Sequence, residues 1–441
     1  MGSIDLSVKA KNNACIIDLS VHVDYSSFIG FVQSVFREGF MDLSNYLRTG
    51  TYARQALQQL SDNEAKHKIE FGYNDFHIRY NKAAITRLSE LSRAIVDKAM
   101  AEMEAEGYVF NKKNAGTVES YDLPIEQVID IYAHRSIAKL RDTHKEAVVL
   151  FLANLKGGVT KSVTASTMAQ ALRTHPQLLK YDLRLLVIDI DPQASSTMML
   201  NHQYSIGDVN YTSAQAMLQN PSREEILEHF IVESKVKNVS VMPASIADGF
   251  IASNWEALCH EHLPGQNPFM VLKENVIDKI KGDFDWIIID TGPHLDAFLN
   301  NGITASDVLA TPLPPSQVDL HSTLQYVGRL PSIMEQLLAN GATHLPKHHF
   351  AFMTKFSKSV QDKDALSIAK AVFREEMLDC NIPNLIAFQR CAETFDTVIS
   401  VNPKEYPGHV ASLKTAKDAI EDFALSVFQH IQLYLRANHG N

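Results

Sequence analysis

Lys156-Gly157-Gly158-Val159-Thr160-Lys161-Ser162 follows directly on the apolar run Ala147–Ala153 and leads into a helical segment from about Val163. A buried strand, a glycine-bearing loop and a helix, in that order, make a phosphate cradle. The glycines let the chain turn tightly, so that its N–H groups converge on anionic oxygens beside the positive end of the helix. Lys156, Gly157, Gly158, Val159, Thr160, Lys161, Ser162 and Val163 are therefore the nucleotide-binding candidates. Lys161 is placed to reach the β- and γ-phosphates, and the Ser162 hydroxyl to bind Mg²⁺. The usual P-loop has Gly at its start and again directly before its lysine. Here Leu155 and Thr160 stand in those places, so the strand–loop–helix context carries the reading.

Two later segments agree with it. Leu185–Ile190 is an apolar strand that runs into Asp189-Ile190-Asp191-Pro192-Gln193, and Trp286–Ile289 runs into Asp290-Thr291-Gly292-Pro293. Carboxylates at the C-terminal ends of neighbouring parallel strands face the crevice where α/β sheets bind ligands. There they can hold Mg²⁺ through water and orient an attacking water. An isolated strand-end Asp more often caps a turn, but three strand ends with one consistent chemistry point to nucleotide hydrolysis. The remaining apolar runs, Val239–Met242, Val308–Leu309 and Phe350–Met353, alternate with helical stretches. Uninterrupted apolar strands separated by helices specify a parallel sheet covered on both faces. The fold class is thus α/β, with a doubly wound, mostly parallel sheet over 143–441.

The rest of the chain sets bounds on this domain. With 441 residues, 45% of them hydrophobic and 21% charged, the chain has the make-up of a globular protein of two or three domains. Its formal charge of −10 means that any nucleic acid must be met by local patches. Cys15, Cys259, Cys380 and Cys391 form no CxxC pair, which suits a reducing compartment and offers no zinc or iron–sulfur spacing. No run approaches the length of a membrane span, and Met1-Gly2-Ser3-Ile4-Asp5 lacks the features of a secretory signal. Gly2 opens a myristoylation pattern that Leu6 breaks. These features lead to the expectation of a cytoplasmic protein without a membrane partner.

Upstream of the sheet two further regions are expected. Residues 1–72 are helix-friendly, with Phe28, Val32 and Phe36 at helical spacing and a second run from Tyr52 to about Lys68 beyond a break at Gly50. Such helices pack on a second copy or fold back on their own chain. Residues 73–142 read as helix (Lys82–Leu88), turn, helix (Arg93–Glu106, capped by Ser92), strand (Tyr108–Phe110), turn (Asn114–Gly116) and strand (Val118–Leu123). Val96, Ala99, Met100 and Met103 form the buried stripe of the second helix. This order is that of a winged helix-turn-helix. Its cations, Arg79, Lys82, Arg87, Arg93, Lys98, Lys112 and Lys113, are the DNA-binding candidates, with Arg93 foremost. Glu102, Glu104 and Glu106 oppose them, and winged helices also dock proteins, so solvated charge is an alternative for each. The charged stretch Arg141–Lys145 reads as a linker.

The segment Lys156–Ser162 resembles the deviant Walker A motif of the ParA/MinD ATPases, whose extra lysine opens the motif. Asp189–Gln193 is similar to the second motif of that superfamily, and Ile289–Pro293 to its Walker B. The resemblance implies a nucleotide-sandwich homodimer in which Lys156 reaches the partner's phosphates. It implies catalytic roles for Lys156, Lys161 and Asp191, the last positioning the water, and a magnesium shell of Ser162, Asp189 and Asp290. With the winged helix ahead, the chain looks like the large ParA class, which segregates plasmids or chromosomes. That class implies ATP and ADP as ligands, non-specific DNA binding with ATP, operator binding with ADP, and a ParB-type centromere-binding partner. It also implies a nucleoid-associated location and a DNA contact for Arg390. A GTPase's Asn-Lys-x-Asp is absent at Thr354-Lys355-Phe356-Ser357.

The same residues are compatible with three other functions. They are an ATP-sensing repressor without a transport role, a small-molecule ligase of the same superfamily, and a MinD-like positioning ATPase. The last would need a basic amphipathic C-terminal helix. The helix expected from Asp418 to Leu435 has acidic residues at its start and an apolar face of Ile420, Ala424, Val427, Phe428 and Ile431, which suits core packing better.

Overall fold

The structure, a computed structural model, describes residues 43–70, 75–115, 118–205 and 209–439. The stripe Phe28, Val32 and Phe36 lies outside the described residues. Helix α1 (Ser44–Glu70) runs without interruption through Gly50. A lone glycine inside a helix costs about 1 kcal/mol, too little on its own to break a helix of this length.

The winged unit comprises α2 (Lys82–Ile85), α3 (Arg93–Ala105), the antiparallel pair β1 (Lys112–Ala115) and β2 (Val118–Tyr121), and α4 (Ile125–His134). Its core holds Ile85, Leu91, Val96, Ala99, Met100, Met103, Phe110 and Val128. Three local expectations change. α2 ends at Ile85, and its cap is Asn81, whose Oδ1 accepts the Ala84 N–H at 2.8 Å. Ser92 precedes α3 with extended backbone, but its side chain makes no capping bond. Tyr108–Phe110 is not a strand: Phe110 is drawn into the helical core, and the hairpin starts later, with Asn114 and Ala115 inside β1. The wing is polar because a two-stranded ribbon leaves its faces wet.

Arg141–Lys145 is not a loose linker. Leu140–Thr143 forms a short helix, and Arg141 donates to Asp182 Oδ2 at 2.7 Å and to Asp285 Oδ2 at 3.2 Å. Lys139 and the buried Arg173 bind the same Asp182, while Leu179 fills a place in the winged unit's core.

The large sheet contains β3 (Val148–Leu152), β4 (Leu185–Asp189), β5 (Val232–Glu233), β6 (Val239–Met242), β7 (Trp286–Asp290), β8 (Val308–Leu313) and β9 (His348–Met353), in the order β5-β6-β4-β7-β3-β8-β9. All neighbours are parallel except β5 with β6. The two-residue β5 carries no apolar run that would reveal it. In β3 every side chain is buried and they alternate between two cores, Val148, Leu150 and Leu152 facing one layer and Val149 and Phe151 the other. The first layer includes α5 (Lys161–Thr174), which precedes α6 (Ser195–Asn201), α7 (Gln317–Ala339), α8 (Ile386–Ala392) and the C-terminal α9 (Val410–His439). Ile420, Ala424, Val427, Phe428 and Ile431 of α9 pack there beside Met168 and Leu172 of α5, so the helix has no free apolar face along these residues. Among the described residues, no helix is long and apolar enough to cross a membrane.

Candidate functional site

Sheet register assembles the site. Asp189 at the end of β4 is paired with Asp290 at the end of β7, and Asp290 with Leu152 at the end of β3. Register thus sets the two carboxylates side by side and brings Asp290 next to the strand end from which the loop leaves β3. That loop closes on its own backbone: Lys161 is buried and donates from Nζ to the Asn154 carbonyl at 2.9 Å. Gly158 takes φ +75°, which suits glycine, but Thr160, standing where a P-loop has Gly, takes φ +70°. A residue with a Cβ in that region stores about 1–2 kcal/mol of strain. The loop's hold on its surroundings sustains it.

Asn154 is the anchor that sequence reading passed over. Its Nδ2 donates to the Pro312 carbonyl at 2.9 Å and to Thr323 Oγ1 at 2.8 Å, and its Oδ1 accepts the Lys156 N–H at 2.9 Å. One side chain thus ties β3, β8 and α7 to the loop. An Asn directly after an apolar strand was the available signal.

The two strand-end carboxylates differ. Asp189 is held by the turn that follows it: Oδ2 accepts the Thr197 N–H and hydroxyl, both at 2.8 Å, and Oδ1 accepts the Asp191 N–H at 3.1 Å. Asp290 Oδ2 accepts the Ser196 hydroxyl at 2.8 Å, while Oδ1 is buried with no hydrogen-bond partner among the described residues. Burial pushes the Asp290 carboxyl up, to about 6, against the Ser162 and Ser196 hydroxyls, which favour its charged form. Burial and the Asp290 charge raise Asp189 well above the usual carboxylate range. Burial also pulls the Lys161 ammonium down, with Asp290 and Asp191 opposing. Two adjacent buried carboxylates and an orphaned oxygen are the donor set that a hard divalent cation satisfies. Ser162 and Asp290 can hold one, and Asp189 orders the turn behind them.

Asp191 lies at the cavity wall, where its Oδ1 accepts the Gln193 N–H at 3.0 Å. The cavity, about 460 Å³, is lined by 157–163 with Asp191, Gln193 and Pro293. A second cavity of about 700 Å³ shares Thr160 and Val163 with it and is bounded by Lys355, Ile382, Pro383, Leu385 and Phe388. Lys156 stands apart from Lys161: its Nζ lies 3.1 Å from Asp319 Oδ1 on α7, both side chains about one-third exposed at 35% and 31%. The Asp319 pairing has no motif to announce it.

The match between the winged helix, the phosphate loop and known proteins is direct. The family described as ParA helix turn helix domain matches residues 53–144, and the family described as AAA domain matches residues 147–340. Plasmid partition protein A of Escherichia coli is 51% identical over 397 residues, covering 90% of this chain and 100% of the relative. The chain belongs to the ParA family of partition proteins. A solved structure named Partition Protein superposes with a TM-score of 0.70 at 42% identity, covering 88% of this chain and 98% of that one. Membership makes it a P-loop ATPase of plasmid partition, with a helix-turn-helix ahead of its sheet.

The DNA candidates of this ParA protein differ in their settings. Lys82 and Lys112 each lie over the Tyr121 ring, 5.6 and 5.4 Å from its centroid, and pair with Asp97 and Glu119 respectively. Lys98 pairs with Glu102 and Lys113 with Asp122. Arg79 donates to the carbonyls of Phe76 and Ile78, Arg87 is exposed, and Arg93 is 89% exposed with only a 3.9 Å approach to Asp97. Arg390 is half-buried on α8 beside Gly408, far in sequence from the wing.

Proposed function

We propose that this ParA protein is a nucleotide-timed switch: a dimer with ATP and Mg²⁺ that holds duplex DNA without sequence preference, and with ADP an operator-binding autorepressor. A ParB-type centromere-binding protein would stimulate its slow hydrolysis, and its work would be on the nucleoid. The observation that carries the reading is the position of Lys156. It is on the open rim, joined to Asp319 by an ion pair that water screens, so it can exchange that partner for a phosphate of a facing copy.

The rim supports closure. Ile246, Phe250, Leu295 and Val318 are exposed apolar side chains in the segments that bear on the site: Gly249 lies against Pro192, Leu295 follows the Pro293 loop, and Val318 adjoins Asp319. Exposed apolar groups gathered around a charged cleft mark a partner surface. From Leu43, the residue before α1, Tyr46, Gly50, Ala53, Leu57 and Leu60 of α1 follow at alternating three- and four-residue steps, the seam of a paired helix, and the four large side chains of this series are exposed.

Within the site, the backbone of 157–162 and Lys161 would bind the phosphates, and the apolar cavity around Ile382, Leu385 and Phe388 would take the base. Ser162 and Asp290 would hold Mg²⁺, which neutralises charge on the phosphoryl oxygens during transfer to water. Asp191 would orient that water from the cavity wall, the role the resemblance implies for it, and Asp189 beside Asp290 would complete the magnesium shell. Closure would align Arg390 and neighbouring cations of both copies along one duplex, while Arg79, Lys82, Arg87, Arg93, Lys98, Lys112 and Lys113 would serve the operator.

The test is binding to random-sequence duplex DNA with ATP–Mg²⁺ and with ADP–Mg²⁺ at one fixed salt concentration. Binding should be much tighter with ATP, and Lys156→Gln should remove at least about a tenfold share of that gain, about 1.4 kcal/mol. Equal binding with both nucleotides would sink the switch, and unchanged loading by Lys156→Gln would remove the crossing lysine.

A further inference from the structure

A second cluster of ligating side chains lies at the opposite end of the sheet from the phosphate loop. His348 begins β9, Glu376 ends the short turn Arg374–Glu376, and His430 lies on α9. His348 Nε2 and His430 Nε2 are 2.8 Å apart, and Glu376 Oε2 is 3.4 Å from each. Three elements distant in sequence therefore converge one ligand atom apiece on a common point. The far end of the same strand leads to Thr354, whose hydroxyl reaches the Val159 carbonyl of the phosphate loop. Six residues of extended chain put about 20 Å between the two ends, so this cluster takes no part in the nucleotide site.

We propose that His348, His430 and Glu376 form a binding site for a divalent transition-metal ion, with Zn²⁺ the best fit. Zinc–ligand bonds of 2.0–2.1 Å in a tetrahedron place the ligand atoms about 3.3 Å from one another. The three observed separations lie around that value, and only the imidazole pair must open, by about half an ångström. Two imidazoles with one carboxylate suit zinc, whereas magnesium and calcium prefer an all-oxygen set. The surroundings hold the rings in place. The Tyr434 ring stacks on His348 with centroids 4.3 Å apart and planes within 14°, and Phe350 abuts His430 edge-on. Glu376 lies on the open side with its side chain 39% exposed, which gives an ion a way in and leaves the fourth position to water. The ion would fasten α9 to the edge strand of the sheet. Because α9 packs on α5, the helix that follows the phosphate loop, metal would steady the ATPase region without touching its chemistry.

The experiment is titration of tag-free full-length protein with Co²⁺, read by visible absorption, followed by displacement with Zn²⁺. One equivalent should bind with the intense bands of a low-symmetry, four- or five-coordinate ion, and Zn²⁺ should abolish them. His430→Gln and Glu376→Gln should each weaken binding by at least the roughly 10–100-fold that loss of an outer-shell partner produces, with ATP turnover unchanged. Glu376→Gln is isosteric and partly exposed, so it keeps the test sound should a histidine variant fold poorly. Absence of a stoichiometric Co²⁺ spectrum, or a spectrum that persists in both variants, would overturn the proposal.

Discussion

The phosphate-loop end of the sheet and the winged unit carry the same kinds of charged side chain under opposite conditions. At the strand ends Lys161, Asp189 and Asp290 are buried, and each is fixed by short bonds to Asn154, Thr197 or Ser196. On the winged unit Lys82, Lys98, Lys112 and Lys113 are partly or largely exposed and paired directly with carboxylates at the surface. A buried charge survives only with a defined partner, so its presence states a purpose. An exposed one needs no reason, and an ion pair at the surface is weakly bound and readily exchanged. The difference teaches that chemistry can be located from burial, whereas DNA contact has to be located from what gives way when a duplex arrives.

The contrast can be broken most severely at Lys161. Lys161→Ala removes the buried cation from the cradle and should lower phosphate release by roughly 100-fold or more, the scale of losing one preorganised charge-stabilising donor. Near-normal turnover in a phosphate-release assay would mean that the phosphates lie elsewhere. Arg93→Ala sharpens the other side of the comparison. It should weaken operator binding and lower the slope of log affinity against log salt by about 0.9, while leaving ATP turnover unchanged. A fall in turnover with operator binding intact would reverse the assignment of the two regions. The smallest effect belongs to Thr160→Gly. Relief of the left-handed strain is offset by the greater freedom of glycine in the unfolded chain, each on the order of 1 kcal/mol. Melting temperature and nucleotide affinity should therefore barely move, and a large loss of either would show that the Thr160 side chain itself serves the site.

Much of this molecule was legible along the chain. Strands such as Leu185–Asp189 and Trp286–Asp290 announce themselves because both of their faces are buried and every residue is apolar up to the terminal carboxylate. The wing was legible only approximately, since Phe110 looks like a strand residue but serves the helical core. Asn154 and Asp319 were missed for another reason: each matters through bonds to elements more than 150 residues away, which no local pattern encodes.

By itself, then, the sequence determined that a phosphate-binding loop precedes a helix, that carboxylates end neighbouring strands, and that a small helical unit with a hairpin lies upstream of them. Periodicity and turn chemistry act over a few residues, and those features are local. Tertiary structure alone decided that Asp189 binds its own turn while Asp290 Oδ1 has no hydrogen-bond partner among the described residues, and that Arg141 clamps the supposed linker to Asp182 and Asp285. It also decided that His348, Glu376 and His430 share one point. These outcomes depend on strand register and on helices brought back over the sheet, where the distance between two side chains is set by packing and not by their separation along the chain.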